Sequence, residues 1–176
     1  RQRQLGAHVE FGAVFGPRSF FVGFTPGIRY RPRMSWFALD GGIGLFGGQD
    51  YNRRVRVEVP LLADASFFVN PRSMAQFYFT VGVSLGVSAA SNDTGLSPAA
   101  GETVEYIHVG ARAGFGVEAR LTSWIAVNTA IRVFVLENVS QENSPEYQEV
   151  VDGRLTGRGT DTAVGLLPTM GMTLYF

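Results

Sequence analysis

Ten charged residues lie inside runs of alternating residues, and all ten sit on the parity opposite the apolar row. They are Glu10, Arg29, Asp40, Arg56, Glu58, Asp64, Arg112, Glu118, Arg120 and Arg132. The runs cover residues 5–15, 20–30, 36–45, 55–69, 76–87, 107–120, 125–135 and 164–176. The fourth is the cleanest. Val55, Val57, Val59, Leu61, Ala63, Ala65, Phe67 and Val69 alternate with Arg56, Glu58, Pro60, Leu62, Asp64, Ser66 and Phe68. A period of two is the signature of β-strands, because successive side chains point to opposite faces. A face that excludes charge over eight successive strands is built to meet a medium without water. An arginine on a lipid-facing strand position at mid-depth costs about 2–4 kcal/mol.

The polar parity must then point inward, which predicts an all-β, closed, antiparallel, eight-stranded up-and-down transmembrane β-barrel. Closure is required because hydrocarbon offers no hydrogen-bond partner to an open sheet edge. No apolar stretch reaches the roughly 18 residues that a membrane-spanning helix needs. A soluble eight-stranded barrel of the lipocalin type would reverse the faces, burying the apolar row and solvating the other. Here the second face is mostly Gly, Ala, Ser and Thr with sparse charges, too poor in polar groups for a wet exterior. Small residues instead suit a narrow lumen that longer side chains must share.

Connection lengths point the same way. Those after runs two, four and six are short: 31–34, 70–73 and 122–123. Those after runs three, five and seven are longer, near 47–54, 90–104 and 137–161, and only the first, 16–19, is short on the long-loop side. Short periplasmic turns alternating with long external loops are the habit of outer-membrane barrels, and they predict both termini in the periplasm. Tyr30, Phe37, Phe67, Phe77 and Phe176 gather at run ends near the short turns, as an interfacial aromatic belt would. The whole chain, 1–176, reads as one domain, with residues 1–4 a periplasmic stub. Arg1-Gln2-Arg3-Gln4 contains no apolar signal core, so export implies that a leader has been removed.

The chain closes on Met170, Met172, Leu174 and Phe176 in alternation. That ending resembles the C-terminal signal strand read by the barrel assembly machinery, carried here by Met172, Leu174 and Phe176. With eight strands and widening loops, the chain resembles the small OmpA-like and OmpX-like outer-membrane barrels. The resemblance implies residence in the bacterial outer membrane, contact with its lipid and lipopolysaccharide, and assembly by that machinery. Members include anchors, adhesion and defence proteins, assembly partners and a few lipid A-modifying enzymes. Other outer-membrane or periplasmic proteins are therefore possible partners.

Five acids and five arginines in a narrow interior must find each other, since an unpaired buried charge is costly. The expectation is a lumen plugged by Arg–acid pairs, in a non-enzymatic anchor, scaffold or interaction subunit. A narrow pore is the alternative. A lipid A-modifying enzyme is the second: a deacylase needs a grouped histidine, serine and acid. His108 lies near the outer rim, but no serine follows it two residues on. His8 and His108 read as hydrogen-bonded lumen residues too far apart to share a metal, and no cofactor is expected. Balanced charge and the lack of cysteine point away from nucleic acid, thiol catalysis and cysteine metal sites. Pro26 and Pro168, on the lipid-facing parity, each predict a local bulge or a break in pairing. In lipid A palmitoyltransferase-like barrels such breaks admit an acyl chain sideways. Asp152-Gly153 predicts a tight hairpin within the last loop.

Overall fold

The computed structural model describes residues 5–17, 19–32, 35–50, 55–91, 103–140, 148–151, 154–157 and 162–176. Strands β1 (Leu5–Gly16), β2 (Ser19–Tyr30), β3 (Phe37–Ile43), β4 (Leu45–Gln49), β5 (Val55–Phe68) and β6 (Ala75–Ser91) come first. Next follow β7 (Thr103–Arg120), β8 (Ile125–Asn138), β9 (Gln148–Val151), β10 (Arg154–Gly157) and β11 (Thr162–Tyr175). Each barrel strand pairs antiparallel with its neighbours, and β1 pairs with both β2 and β11, which closes the sheet. β3 and β4 lie end to end as one stave between β2 and β5, so the wall has eight staves. β9 and β10 form a separate hairpin in the last long connection, pairing Arg154 with Val151; Asp152 and Gly153, where the tight turn is expected, lie outside the described residues.

Exposure is inverted relative to a soluble protein. On β6, Val81, Val83, Leu85 and Val87 are 50%, 60%, 50% and 55% exposed. On the other parity Arg29, Arg56 and Arg132 are buried, and Glu118 has no accessible surface. Outward apolar rows and buried charges in one closed wall suit hydrocarbon outside.

The third run is continuous in register but interrupted at Gly44. β3 and β4 keep one register against β5, and one against β2. At the break Gly44 faces Pro60, which has no N–H to return; Gly44 N–H still donates to the Pro60 carbonyl at 2.7 Å. Of the bulge or break in pairing expected at Pro26 and Pro168, the break occurs: beside Pro26, pairing with the third stave lapses between Phe24–Leu45 and Gly27–Gly42 without a shift. Pro26 pairs with Val9, and Pro168 with Ile131, in the same register as their neighbours. On the far side of Pro168 the ladder pairing lapses briefly and resumes unshifted: Gly12–Thr169 and Phe15–Leu166 bracket the gap. A missing donor costs one rung and need not add a residue.

One position departs from its parity. Trp36 precedes β3, is 63% exposed, and stacks on Phe67 with centroids 5.8 Å apart. Alternation with Ala38 and Asp40 would put Trp36 in the lumen row, but it precedes the first residue of β3, where no pleat assigns a face. Trp36, Phe37 and Phe67 form a cluster at the short-turn end, and Tyr30, Phe77, Trp124 and Phe176 are also exposed at that end. Leu5 and Phe176 meet there too, where Phe176 N–H donates to Leu5 O at 2.9 Å.

Candidate functional site: the charged interior of the barrel

The interior polar groups are arranged in three tiers. At the short-turn end, Glu118 of β7 receives Arg29 Nη1 from β2, the diametrically opposite stave. Arg31 Nη1 donates to the other carboxylate oxygen at 3.0 Å, Arg120 Nε lies 3.6 Å from it, and the Tyr175 hydroxyl donates at 3.4 Å. Arg29 Nε also donates to Asp40, its direct cross-strand partner, at 2.5 Å. The Arg31 guanidinium rests on the Phe68 ring, 3.6 Å from its centroid. One carboxylate thus gathers three arginines. Arg31 lies in a turn, outside the alternating runs, so the parity argument could not find it.

At mid-depth, two ion pairs each reach over an intervening stave. Arg112 of β7 binds Asp64 of β5 across β6, by Nε to Oδ1 at 2.7 Å and Nη2 to Oδ2 at 2.5 Å. Arg132 of β8 binds Glu10 of β1 across β11, with its two terminal nitrogens 3.1 and 3.2 Å from the carboxylate oxygens. Asn128 and Thr169 complete that second pair, donating to Glu10 at 2.8 Å and accepting from Arg132 at 2.8 Å. Glycines make these reaches possible. Gly82 lies between Asp64 and Arg112 in the same cross-strand row, and Gly171 between Glu10 and Asn128. A Cβ on Gly171 would stand 2.9 Å from Glu10 Cγ, and one on Gly82 would strike the Asp64 carboxylate.

Towards the long-loop end, Arg56 Nη2 lies 2.6 Å from Glu58 and donates to His108 Nε2 at 2.7 Å. Arginine has only donors, so this nitrogen is the unprotonated one. Ser88 donates to the same atom at 2.9 Å. The serine that is missing two residues after His108 therefore arrives from β6, through strand register. Its geometry is that of a nucleophile–base pair. Arg56, however, occupies the lone pair that a general base must offer, and Ser88 and His108 are 4% and 5% exposed inside the wall. His8 is elsewhere, its Nδ1 3.9 Å from Asp40 Oδ1. Among the described residues no three His, Asp or Glu side chains could hold a metal ion.

Apolar side chains fill what the charges leave. Phe21, Phe46, Phe134 and Leu167 pack together with Val14 and Leu136 near the long-loop end. The void among His8, Glu10, Asp40, Asp64, Arg112 and Arg132 is about 10 Å³, room for about one water. On the outside, Met172, Leu174 and Phe176 are 41%, 40% and 61% exposed on the apolar row of β11 and just beyond it.

No protein-family model matches the chain, and no curated protein sequence matches it. Solved structures do. Neisserial surface protein A is 13% identical with a TM-score of 0.59, over 100% of this chain and 98% of that one. The N-terminal β-barrel domain of Pseudomonas aeruginosa OprF is 12% identical, TM-score 0.53, over 99% and 100%. Ail, the attachment invasion locus protein of Yersinia pestis, is 13% identical, TM-score 0.56, over 99% of each. At such identities the likeness concerns the fold, and with the closed wall and outward apolar rows it has one reading. The chain has the fold of the small eight-stranded β-barrels of the bacterial outer membrane.

Proposed function

We propose that the protein is a non-enzymatic integral outer-membrane barrel, with a lumen closed by Arg–acid pairs and both termini in the periplasm. It acts as an anchor or interaction subunit that carries its long connections outward. The observation that carries this reading is the Glu118 hub. A carboxylate without accessible surface, held by Arg29 from the opposite stave and by Arg31, ties the wall together across its diameter. The one-water void at mid-depth and the apolar layer of Phe21, Phe46, Phe134 and Leu167 support closure. The short connections at the end that holds Leu5 and Phe176 support the periplasmic assignment. Outer-membrane lipid and lipopolysaccharide are its immediate surroundings, and the barrel assembly machinery inserts it by way of Met172, Leu174 and Phe176.

Planar-bilayer recording tests the closed lumen. The purified barrel is expected to give no discrete current steps, and reproducible openings of the unaltered protein would overturn the reading in favour of a narrow pore. The Ser88–His108 contact is the feature an enzyme would need. Incubation with lipopolysaccharide followed by mass analysis is expected to leave the acyl chains unchanged. Acyl loss that disappears in Ser88→Ala would establish a lipid A-modifying activity. Purification from native membranes in mild detergent is expected to retain a stoichiometric protein partner, and a chain that always purifies alone would refute the interaction role.

A further inference from the structure

Two cross-strand rows on the outer wall shape a depression. Ile28, Gly41, Ala63 and Val83 lie side by side in one row, and Tyr30, Leu39, Ala65 and Val81 in the next. Gly41, Ala63 and Ala65 at the centre leave a trough of about 720 Å³ between taller neighbours. That volume is in the range of about 300–1,000 Å³ typical of small-molecule sites. On its short-turn side the trough ends at Phe37, Phe67 and Phe79, with Trp36 stacked on Phe67. Aromatic clusters of this kind sit at headgroup level.

Charge distinguishes the two ends of the barrel. The short connections 31–36, 69–74 and 121–124 carry Arg31, Arg33 and Arg72 and no acid. The long connections hold Asp93, Glu102, Glu142, Glu146, Glu149 and Asp161 among an excess of acids. Arg72 is exposed, in the turn joining β5 to β6, two strands that line the trough. An apolar trough with an exposed arginine at its headgroup end matches one chemistry. We propose that the barrel binds an anionic phospholipid of the short-turn leaflet, its acyl chain in the Gly41–Ala63–Ala65 trough and its phosphate on Arg72.

A second outer depression provides an internal control. Val9, Phe11, Val117, Ala119, Thr129 and Met170 line about 510 Å³ on the other side of the wall. Among the described residues, Arg120, at the end of β7, one of the strands that line it, is turned inward over the Tyr175 ring, 5.0 Å from its centroid. This second depression holds lipid without regard to headgroup charge.

The site rests on the membrane assignment of the barrel, and the experiment separates the two. The full chain is refolded into vesicles, and folding is checked by heat-modifiable gel mobility. It is then transferred to mixed micelles with equal phosphatidylglycerol and phosphatidylcholine of the same chains, and retained lipids are counted by native mass spectrometry. The charged lipid is expected to be retained about fivefold over the neutral one, the ratio that corresponds to about 1 kcal/mol for one arginine near an anionic surface. Arg72→Gln is expected to erase the preference, Ala63→Leu to remove one retained lipid, and Ala119→Leu to leave the preference intact. Equal retention by the unaltered protein, or a preference that survives both Arg72→Gln and Ala63→Leu, would overturn the proposal. A dimer abolished by Ala63→Leu would overturn it in favour of a second copy in the trough. A chain that fails to insert into vesicles would overturn the membrane assignment, and the lipid site with it.

Discussion

Arg112 grips Asp64 through two parallel hydrogen bonds that pass over Gly82, the residue lying between them in the same cross-strand row. The pair belongs to β7 and β5, which do not touch as strands; only the missing side chain on β6 lets them meet. In a narrow barrel a glycine is thus as much part of an ion pair as the charges are.

Gly82→Ala should therefore be costly although it adds one methyl group. The new Cβ would stand 2.6 Å from Ala63 O and closer still to the Asp64 carboxylate. Backbone cannot yield and the carboxylate would have to leave Arg112. Overpacking of this kind costs roughly 1–3 kcal/mol. Urea unfolding in vesicles checks it, and Gly47→Ala, whose added methyl would meet nothing within 4 Å, is expected to be near neutral.

Glu118→Gln removes the charge that Arg29 and Arg31 share while keeping the side chain's size. Breaking a buried ion pair from one side costs about 3–5 kcal/mol, because the remaining charge stays behind. Arg29 keeps Asp40, whereas among the described residues Arg31 keeps the Ser35 carbonyl and the Phe68 ring. The double variant Glu118→Gln with Arg31→Gln should recover part of the loss. A double-mutant cycle on unfolding free energies measures the recovery, and strict additivity would show that the two do not interact.

Charge on the outer row should be penalised by depth. Val83 is at the middle of β6 and 60% exposed; Val69 is 67% exposed beside a short turn. Val83→Arg is expected to destabilise by about 2–4 kcal/mol and Val69→Arg by about 0–1 kcal/mol. Exposure alone does not separate the two sites, so unfolding in vesicles isolates the medium. Equal costs would contradict a hydrocarbon exterior.

Phe176→Ala should separate assembly from stability. Phe176 closes the barrel by its backbone, donating to Leu5 O, while its ring is 61% exposed. Refolding into detergent is expected to change by less than about 0.5 kcal/mol, as for exposed positions generally. On the proposed role of this side chain in recognition by the assembly machinery, the folded amount in cell membranes is expected to fall severalfold. Quantitative blotting of heat-modifiable protein reads it.

The number of staves, their parity, the closed sheet and the lipid-facing side were all legible in the chain alone. They follow from a period of two and from the cost of charge in hydrocarbon, both of which act residue by residue. The ten interior charges were legible for the same reason, because parity places a side chain inside or outside. Which charge meets which became visible only in the folded barrel. Partners such as Arg29 and Glu118 lie on opposite staves, and their meeting depends on relative depth, a property of register between strands. The same holds for Ser88 beside His108, brought from the neighbouring strand. Arg31 and Trp36 escaped the pattern because turns have no pleat to assign a face. Pro26 and Pro168 promised a bulge or a break in pairing, and only the folded register decides between them: it is unshifted around each proline, so the lost donor skips a rung and adds no residue.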